Sequence, residues 1–296
     1  MYSVLSAILP VFFVAGGGFA LRRFRVLDTK TLSSLNIYLF IPALVFSSLS
    51  QREIEWSVFG RIAAACVCMV LAMWAFLGWI ARGRGLEGQG RVAFLMTMFM
   101  NLGNFGLPVC KFAFGDEGLA LGVVVMVCGS FLQNSVGLYF AHRGHRGVGS
   151  AFARVFCYPM VYGFVLALLC QRTGWQPPLA VSRAIAITGD AAIPMQLIIL
   201  GVQLAETHLD TSVDVFLAAG VRLCGGPILA LAVLSLVGLE GLVAKVFVLQ
   251  MSGPVAVGMA VFGIQFDVAP RFLASAVSLS FLMSIFTVSA VLYFLV

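Results

Sequence analysis

The chain has 296 residues, of which 61% are hydrophobic and 10% are charged, and its formal net charge is +6. Soluble domains carry about 25% charged residues, so this composition excludes a soluble globular protein and indicates a polytopic protein of the lipid bilayer. The basic residues lie in short loops without interleaved aromatic residues, so we expect no nucleic-acid partner.

Ten apolar segments are long enough to cross a membrane, because the hydrocarbon core requires about 20 apolar residues per helical span. The predicted spans are 3–21, 31–50, 57–81, 91–112, 118–140, 151–170, 181–204, 212–237, 241–263 and 270–294. We therefore expect an all-α polytopic membrane protein with ten transmembrane helices. These spans occupy nearly the whole chain, so any activity has to lie within the membrane.

The charges that follow the first span predict its orientation. Arg22, Arg23 and Arg25 come after the apolar run, whereas the positive charge of a cleaved signal peptide precedes it, so we interpret this segment as a retained span. Loops rich in Lys and Arg remain in the cytoplasm. This rule places the N-terminus outside the cell, and an even number of spans places the C-terminus there too.

Span four contains residues that readily interrupt a helix. Its segment NLGNFGLPV begins at Asn101 and includes Asn104, Gly106 and Pro108. Unsatisfied backbone groups in hydrocarbon cost several kcal/mol each, so a broken helix persists only where protein or a water-filled cavity covers it. We expect the glycines to permit unwinding, the proline to enforce it and the asparagines to replace lost backbone partners.

Span nine carries a similar segment, QMSGPVAVG, which includes Gln250, Ser252, Gly253 and Pro254. If both segments unwind, they cross near the middle of the membrane, and each presents the N-terminus of a half-helix. Such ends carry partial positive charge and free N–H groups, which favour an anion. The sequence thus predicts an anion-binding site at this crossover, and the alternative is that the prolines only kink the two spans.

Polar residues also lie deep in three other spans. Gln133 and Asn134 occupy the middle of span five and require protein, water or substrate as partners. Gln196 and Gln203 follow Pro194 in span seven and are weaker supporting candidates. Arg222 in span eight is a functional candidate, because intramembrane arginines are costly. It could attract an anionic substrate or bind carbonyl groups freed by an unwound helix.

The prolines indicate an internal repeat. Three pairs recur at a nearly constant separation of about 150 residues, and the alternative is a chance alignment among ten prolines. The pairs are Pro10 and Pro159, Pro42 and Pro194, and Pro108 and Pro254. Because each half has five spans, the second half would enter the membrane from the opposite face. The sequence therefore predicts two inverted repeats, 1–145 and 146–296, an organisation typical of secondary transporters.

The chain offers little for catalysis or metal binding. No span contains a deeply buried pair of carboxylates, which disfavours a sodium/proton antiporter and an intramembrane aspartyl protease. The seven cysteines lack metal-ligand spacing and a disulfide pattern. We expect no metal, no cofactor and no enzymatic activity.

With these residues considered, the chain resembles the auxin efflux carrier family, which includes bacterial malate and malonate permeases and the plant PIN auxin exporters. The most specific matching segments are NLGNFGLPV, QNSVGLY, PMQLIILGVQLA and QMSGPVAV. The asparagine seven residues before the family's crossover proline matches Asn101. The family's Gln-Asn pair matches Gln133 and Asn134, and its helix-nine glutamine matches Gln250.

The resemblance implies crossed broken helices four and nine in a fold similar to sodium/bile-acid symporters and NhaA-like antiporters. A scaffold of 1–50 and 151–204 would form a homodimer, and a transport domain of 57–140 and 212–296 would move against it. The long cytoplasmic loop of the plant exporters is absent. The bacterial malate/malonate branch is therefore the closer association, and we expect the bacterial inner membrane as the location.

We expect a secondary transporter (a permease or efflux carrier) that moves a small organic carboxylate by alternating access. Asn101, Asn104 and Gln133 would donate hydrogen bonds to the anion, and Asn134 and Gln250 would complete the site. The alternatives are a passive anion channel and an intramembrane sensor. The sequence leaves open the identity of the carboxylate, the direction of transport and the coupling ion.

Overall fold

The computed structural model describes residues 2–50, 55–141, 158–207 and 209–296. These residues form apolar helices, and their one element of β pairing is an isolated antiparallel bridge between Met100 and Val255. The protein is an integral, multi-pass membrane protein. The predicted junction of the repeats at 145/146 and the first part of predicted span six, 151–157, lie outside the described residues.

The described residues of the first half contain seven α-helices and three short π-helical turns. The helices are α1 (Tyr2–Phe24), α2 (Thr29–Leu35), α3 (Ile41–Ser50), α4 (Trp56–Gly83), α5 (Gly88–Met96), α6 (Leu107–Leu132) and α7 (Leu138–Ala141). The π-helical turns are π1 (Asn36–Phe40), π2 (Leu102–Gly106) and π3 (Gln133–Gly137). π1 joins α2 to α3, and π3 joins α6 to α7. π2 follows a non-helical segment and leads directly into α6.

The described residues of the second half contain seven further helices. They are α8 (Pro159–Thr173), α9 (Leu179–Asp190), α10 (Ala192–Glu206), α11 (Val213–Val237), α12 (Gly241–Met251), α13 (Val257–Phe266) and α14 (Pro270–Leu295). A bend at Ala191 separates α9 from α10, which together correspond to predicted span seven.

Seven helical stretches among the described residues are long and apolar enough to cross a membrane, compared with ten predicted spans. Predicted spans four and nine are each divided by a non-helical segment, 97–101 and 252–256, so their helical parts fall short of a full crossing. The stretch Leu102–Ala141 has 40 residues. At 1.5 Å per residue it is about 60 Å long, roughly twice the hydrocarbon thickness.

Gly115 divides that long stretch. Its φ of 67° and ψ of −155° are not helical, although the surrounding residues continue as α6. Glycine tolerates this conformation because it has no Cβ. The chain therefore turns at Gly115, between the predicted end of span four and the predicted start of span five.

Close backbone contacts join α1 to α10. A Cβ atom at Gly18 would overlap the carbonyl oxygen of Ile198, and a Cβ atom at Gly201 would overlap that of Ala15. α3 packs in the same way against α8, where a Cβ atom at Gly163 would lie 2.6 Å from the Pro42 carbonyl oxygen. Small residues allow membrane helices to approach closely enough for extensive van der Waals contact.

Ion pairs connect the helix ends on one side of the molecule, which we call the arginine-rich end. The Arg22 Nε donates to Glu206 at 2.7 Å, and this pair links the ends of α1 and α10. Arg84, just after α4, pairs with Asp214 at the start of α11 at 3.1 Å. Both pairs are partly exposed, so each contributes about 1 kcal/mol or less and chiefly sets which helix ends are neighbours.

A buried apolar cluster lies toward the opposite end of the molecule, and we call it the distal cluster. It joins the N-terminal part of α1 to α6, α12 and α14. Its members include Ile8, Val11, Phe105, Val109, Leu249 and Phe281. The Phe281 ring lies 4.7 Å from the Phe12 ring and 6.0 Å from the Phe105 ring, centre to centre. Apolar and aromatic contacts therefore hold these helices together on that side of the molecule.

Candidate functional site

The first interruption, 97–101, ends α5 and precedes π2. Asn101 adopts a non-helical conformation with φ −80° and ψ 79°, and its Oδ1 accepts a hydrogen bond from the Asn104 N–H at 3.1 Å. The Asn101 carbonyl oxygen accepts the Gly106 N–H at 3.0 Å. Asn101 thus caps the new helix with both its side chain and its backbone.

The prediction that Pro108 lies at the interruption is wrong in detail. Pro108 lies in the first turn of α6, and the non-helical residues precede it by a full turn or more. Because proline has no N–H, it cannot donate to the carbonyl group four residues earlier, and it follows the wider π2 turn. Gly106 occupies the last position of π2, where a Cβ atom would lie 3.4 Å from the Gln250 side chain.

The second interruption, 252–256, separates α12 from α13 and includes Gly253 and Pro254. The Ser252 hydroxyl donates to the Val248 carbonyl oxygen at 2.6 Å, which holds the last turn of α12. The Ser280 hydroxyl on α14 accepts the Val255 N–H at 3.0 Å. The Ser280 hydroxyl therefore satisfies a backbone N–H that the interruption frees, and the Ser252 hydroxyl adds a second bond to a carbonyl group of α12.

The two interruptions bond to each other through the backbone. The Asn101 N–H donates to the Pro254 carbonyl oxygen at 2.8 Å, and the Ala256 N–H donates to the Phe99 carbonyl oxygen at 2.9 Å. These two bonds form the bridge between Met100 and Val255. An unwound segment within the membrane is stable only if its backbone groups find partners in protein or water. Each interruption supplies partners for the other.

Arg222 binds the end of α12 next to the second interruption. Its Nη2 donates to the Met251 carbonyl oxygen at 2.7 Å, and its side chain is fully buried. A cavity lies beside the two interruptions, and Arg222 does not line it. The contact supports the second of its two predicted roles, in which the guanidinium group binds a carbonyl group freed by an unwound helix.

Gln250 and Ser252 are buried away from that cavity. The Gln250 Nε2 donates to the Gly122 carbonyl oxygen at 2.9 Å, which links α12 to α6. Neither residue contributes to the cavity wall. In this structure both side chains bond to helix carbonyl groups around the interruptions, and their contact with a substrate stays a prediction.

The cavity next to the two interruptions has a volume of about 340 Å³ and brings four predicted site residues together: Asn101, Asn104, Gln133 and Asn134. The first residues of π2 and of α13 also line it, so two helix N-termini face the same space. A Cβ atom at Gly258 would lie 2.6 Å from the Gln133 Nε2, so the glycine makes room for the amide of Gln133.

Residues from α2, π1 and α10 form the facing wall, and of these only Gln203 was a candidate from the sequence, as a weaker one. They include Ser33, Asn36 and Gln203. Asn36 is 3% exposed although it lies in an apolar span, and a polar residue at such a depth is the signal that could have identified it. None of the described lining residues is charged.

Three lining residues have buried polar atoms without a hydrogen-bond partner. They are the Asn101 Nδ2, the Asn36 Oδ1 and the Gln203 Oε1. Leaving a buried polar atom unpaired costs about 1–3 kcal/mol, so a ligand that pairs with these atoms would recover that free energy. Because Asn101 Oδ1 accepts from Asn104, the free amide atom of Asn101 is a donor, which suits an anionic oxygen.

The supporting residues of span seven lie away from the cavity. Pro194 is exposed near the start of α10, and Gln196 is fully buried with neither amide atom bonded. Neither lines the cavity described above. Within the described residues, no group of three or more His, Cys, Asp or Glu side chains is arranged to hold a metal ion.

Comparison with known proteins matches residues 3–150 and 145–292 to a family model described as "Membrane transport protein". The chain is 28% identical over 293 residues to an uncharacterized transporter of Methanothermobacter thermautotrophicus, covering 96% of this chain and 94% of the relative. It is 23% identical over 309 residues to a putative malonate transporter of Rhizobium meliloti, covering 99% and 96%. It is also 28% identical over 131 residues to a probable auxin efflux carrier component of Oryza sativa, covering 43% and 24%.

Proposed function

Because the chain belongs to the membrane transport protein family, which is that of the auxin efflux carriers, we propose that it is a secondary transporter that moves a small organic carboxylate by alternating access. The observation that carries this proposal is the cavity beside the two interruptions. It combines a free amide donor on Asn101 with two helix N-termini, and both features favour an anionic oxygen.

Asn101 Nδ2 and the amide groups of Asn104, Gln133 and Asn134 would bind the carboxylate. Asn36 and Gln203 on the facing wall would contact the rest of the substrate. Gln250, Ser252 and Arg222 would keep the two interruptions in place. Ser252 and Arg222 bond to carbonyl groups near the end of α12, and Gln250 links α12 to α6. The Rhizobium meliloti relative makes malonate the first carboxylate to test.

The architecture we propose has ten spans in two inverted repeats, with broken spans four and nine crossed at the site. Two observations support it. The interruptions 97–101 and 252–256 lie at a separation close to that of the proline pairs, and they bond to each other in antiparallel register. The family model also matches the two halves of the chain separately.

We further propose that a scaffold, made of α1–α3 and α8–α10, stays fixed while α4–α7 and α11–α14 move against it. The close backbone contacts of α1 with α10 and of α3 with α8 support a rigid scaffold. The binding cavity has walls from both groups, so relative motion would change its access. A scaffold homodimer in the bacterial inner membrane, with both termini outside, completes the proposal.

The access state that fits this geometry is open toward the arginine-rich end. The distal cluster closes the opposite end, whereas the cavity is lined by Ser33 and Gln203, which lie within two turns of the helix ends at the arginine-rich end. The positive-inside rule places that end in the cytoplasm. Separation of the distal cluster would open the site to the outside.

A thermal-shift screen of the purified protein against monocarboxylates and dicarboxylates tests binding, since a ligand that binds the folded state raises its melting temperature. Counterflow in proteoliposomes tests the mechanism. Unlabelled malonate inside the vesicles should accelerate the uptake of labelled malonate through a carrier, whereas a channel shows no such stimulation. If no carboxylate shifts the melting temperature and none gives counterflow, the proposal is wrong.

A further inference from the structure

A second cavity of about 660 Å³ leads from the arginine-rich end toward the binding cavity, and we call it the vestibule. It lies between the start of α2, the end of α10 and the helices α13 and α14. Four residues line both cavities: Ser33, Gln203, Val257 and Val261. The vestibule therefore adjoins the binding cavity, and these four residues lie at the boundary between the two.

Two basic residues line the vestibule, Lys30 at the start of α2 and Arg271 at the start of α14. Both side chains are exposed, and within the described parts of the chain neither forms an ion pair. The vestibule thus has charged residues in its wall, whereas the described lining residues of the binding cavity carry no charge.

The acidic residues nearby have other partners. Glu206 also lines the vestibule, but its carboxylate accepts from Arg22 at 2.7 Å and from the Thr29 hydroxyl at 3.2 Å. Asp28 caps the start of α2 and does not line the vestibule. Bonds from the Thr31 hydroxyl and the Lys30 N–H, and to a smaller extent the charge of Lys30, lower the pKa of its carboxyl group below the usual value. The vestibule wall is therefore net positive.

This arrangement separates long-range attraction from specific binding. Concave surfaces lined by one sign of charge and bounded by low-dielectric walls raise the local concentration of the opposite charge and accelerate association. The uncharged amides of the binding cavity act only at hydrogen-bonding distance. An anion entering from the arginine-rich end would meet the two cations before it reaches the amides.

We propose that Lys30 and Arg271 form a second, transient binding site for the carboxylate group, which captures the substrate in the vestibule before it passes to the amide cavity. This inference depends on the proposed transport function. The site takes small carboxylates as a class, because the planar guanidinium group of Arg271 matches the geometry of a carboxylate and Lys30 adds a flexible point charge.

The experiment compares the wild-type protein with the double variant Lys30→Gln and Arg271→Gln in membrane vesicles of both orientations. The readout is the initial rate of labelled malonate uptake at a concentration well below saturation. We expect the rate of the variant to fall about fivefold or more at low salt, and only from the side on which the vestibule opens. The difference should shrink at 0.5 M KCl, where the Debye length is only about 4 Å.

The matched control is the double variant Arg25→Gln and Arg82→Gln, which removes the same charge from exposed residues that do not line the vestibule. It should retain the wild-type rate and salt dependence. If the control loses as much activity as the test variant, general surface charge explains the effect, and the proposal is overturned. Equal rates for the test variant and the wild type at low salt would also overturn it.

Vesicles of two lipid compositions distinguish the carboxylate from a lipid headgroup. If the rate falls in vesicles of neutral lipid as well as in those containing phosphatidylglycerol, the cations act on the substrate. If it falls only with phosphatidylglycerol, they bind lipid and the proposal fails. Absence of malonate transport by the wild-type protein, in contrast, would contradict the proposed function itself.

Discussion

Asn101 combines two roles because its two amide atoms face different surroundings. The Oδ1 caps π2 by accepting the Asn104 N–H, and the Nδ2 is buried beside the cavity without a partner. The capping bond positions the donor, since it determines which amide atom is left free. The same side chain therefore connects the local structure of the interruption to the proposed binding of an anion.

Substitution of Asn101 can separate these two roles. Asn101→Asp keeps the capping oxygen but replaces the free donor with a carboxylate oxygen, so we expect malonate affinity to fall at least tenfold with little change in melting temperature. Asn101→Ala removes both atoms and should also lower the free energy of unfolding by about 1 kcal/mol. Isothermal titration and thermal melts measure the two effects. Wild-type affinity in Asn101→Asp would exclude the assigned role.

Arg222 contributes to stability without lining the cavity, because its guanidinium group bonds to the end of α12. Its substitution to alanine removes a buried charged hydrogen bond to the end of α12, so we expect the free energy of unfolding to fall by about 2 kcal/mol. The increase in melting temperature caused by malonate should remain, because Arg222 does not line the cavity.

Arg61→Ala is the control for this prediction, since Arg61 donates to the Gly238 carbonyl oxygen at 3.1 Å but is exposed. We expect it to change stability by less than about 1 kcal/mol. If Arg222→Ala abolishes the malonate-induced shift while melting at the wild-type temperature, Arg222 binds the anion directly.

At the scale of the elements, helices α1 and α10 depend on glycine for their contact. Gly18 lies against the backbone of Ile198, whereas the neighbouring Gly17 has no atom within 4 Å of a Cβ position. Both are glycines of the same helix, so the same substitution can be compared at two positions that differ in their surroundings. The contact of α1 with α10 rests on close packing, whereas the two interruptions are joined by backbone hydrogen bonds.

Gly18→Ala should disturb the contact of α1 with α10, because the new Cβ would overlap a backbone oxygen that cannot move without shifting the helix. We expect the free energy of unfolding to fall by about 1–3 kcal/mol. Gly17→Ala should be neutral or slightly stabilising, since alanine is the better helix former. Thermal melts in detergent compare the two variants, and equal melting temperatures would contradict the packing described here.

At the scale of the whole molecule, the proposed access state makes the two ends different. The vestibule adjoins the proposed binding cavity on the side of the arginine-rich end, and we propose that the distal cluster closes the other side. A carrier that works by alternating access requires such an asymmetry to reverse during transport. The closed end is held mainly by apolar and aromatic contacts, which can separate without leaving charges unpaired.

Labelling of single cysteines tests this asymmetry in a variant whose native cysteines are replaced and that retains counterflow. We expect Ser33→Cys, which lines both cavities, to react with a membrane-impermeant maleimide only from the arginine-rich end. Val109 in the distal cluster is only 1% exposed. A cysteine at this position should therefore react at least tenfold more slowly from either side. Equal reactivity of the two cysteines would contradict a closed distal end.

The sequence by itself determined the membrane class, the approximate positions of most helices and the two interruptions. These features follow from hydropathy and from the backbone preferences of glycine, proline and asparagine, which are local properties of the chain. The number of full membrane spans, predicted to be ten, was less well determined by the sequence. Gly115 and the segment 97–101 show why: a bend or an unwound turn redistributes residues between neighbouring helices without changing their hydropathy.

Only the tertiary structure decided which polar side chains face the cavity. Gln250 was expected there, but its amide donates to Gly122, 128 residues away in the chain, whereas Asn36 and Gln203 form the facing wall. The position of Lys30 and Arg271 in one cavity wall likewise depends on how the starts of α2 and α14 pack in the tertiary structure. The physical reason is that a side chain's partner is set by the packing of distant helices, and local sequence carries no record of that packing.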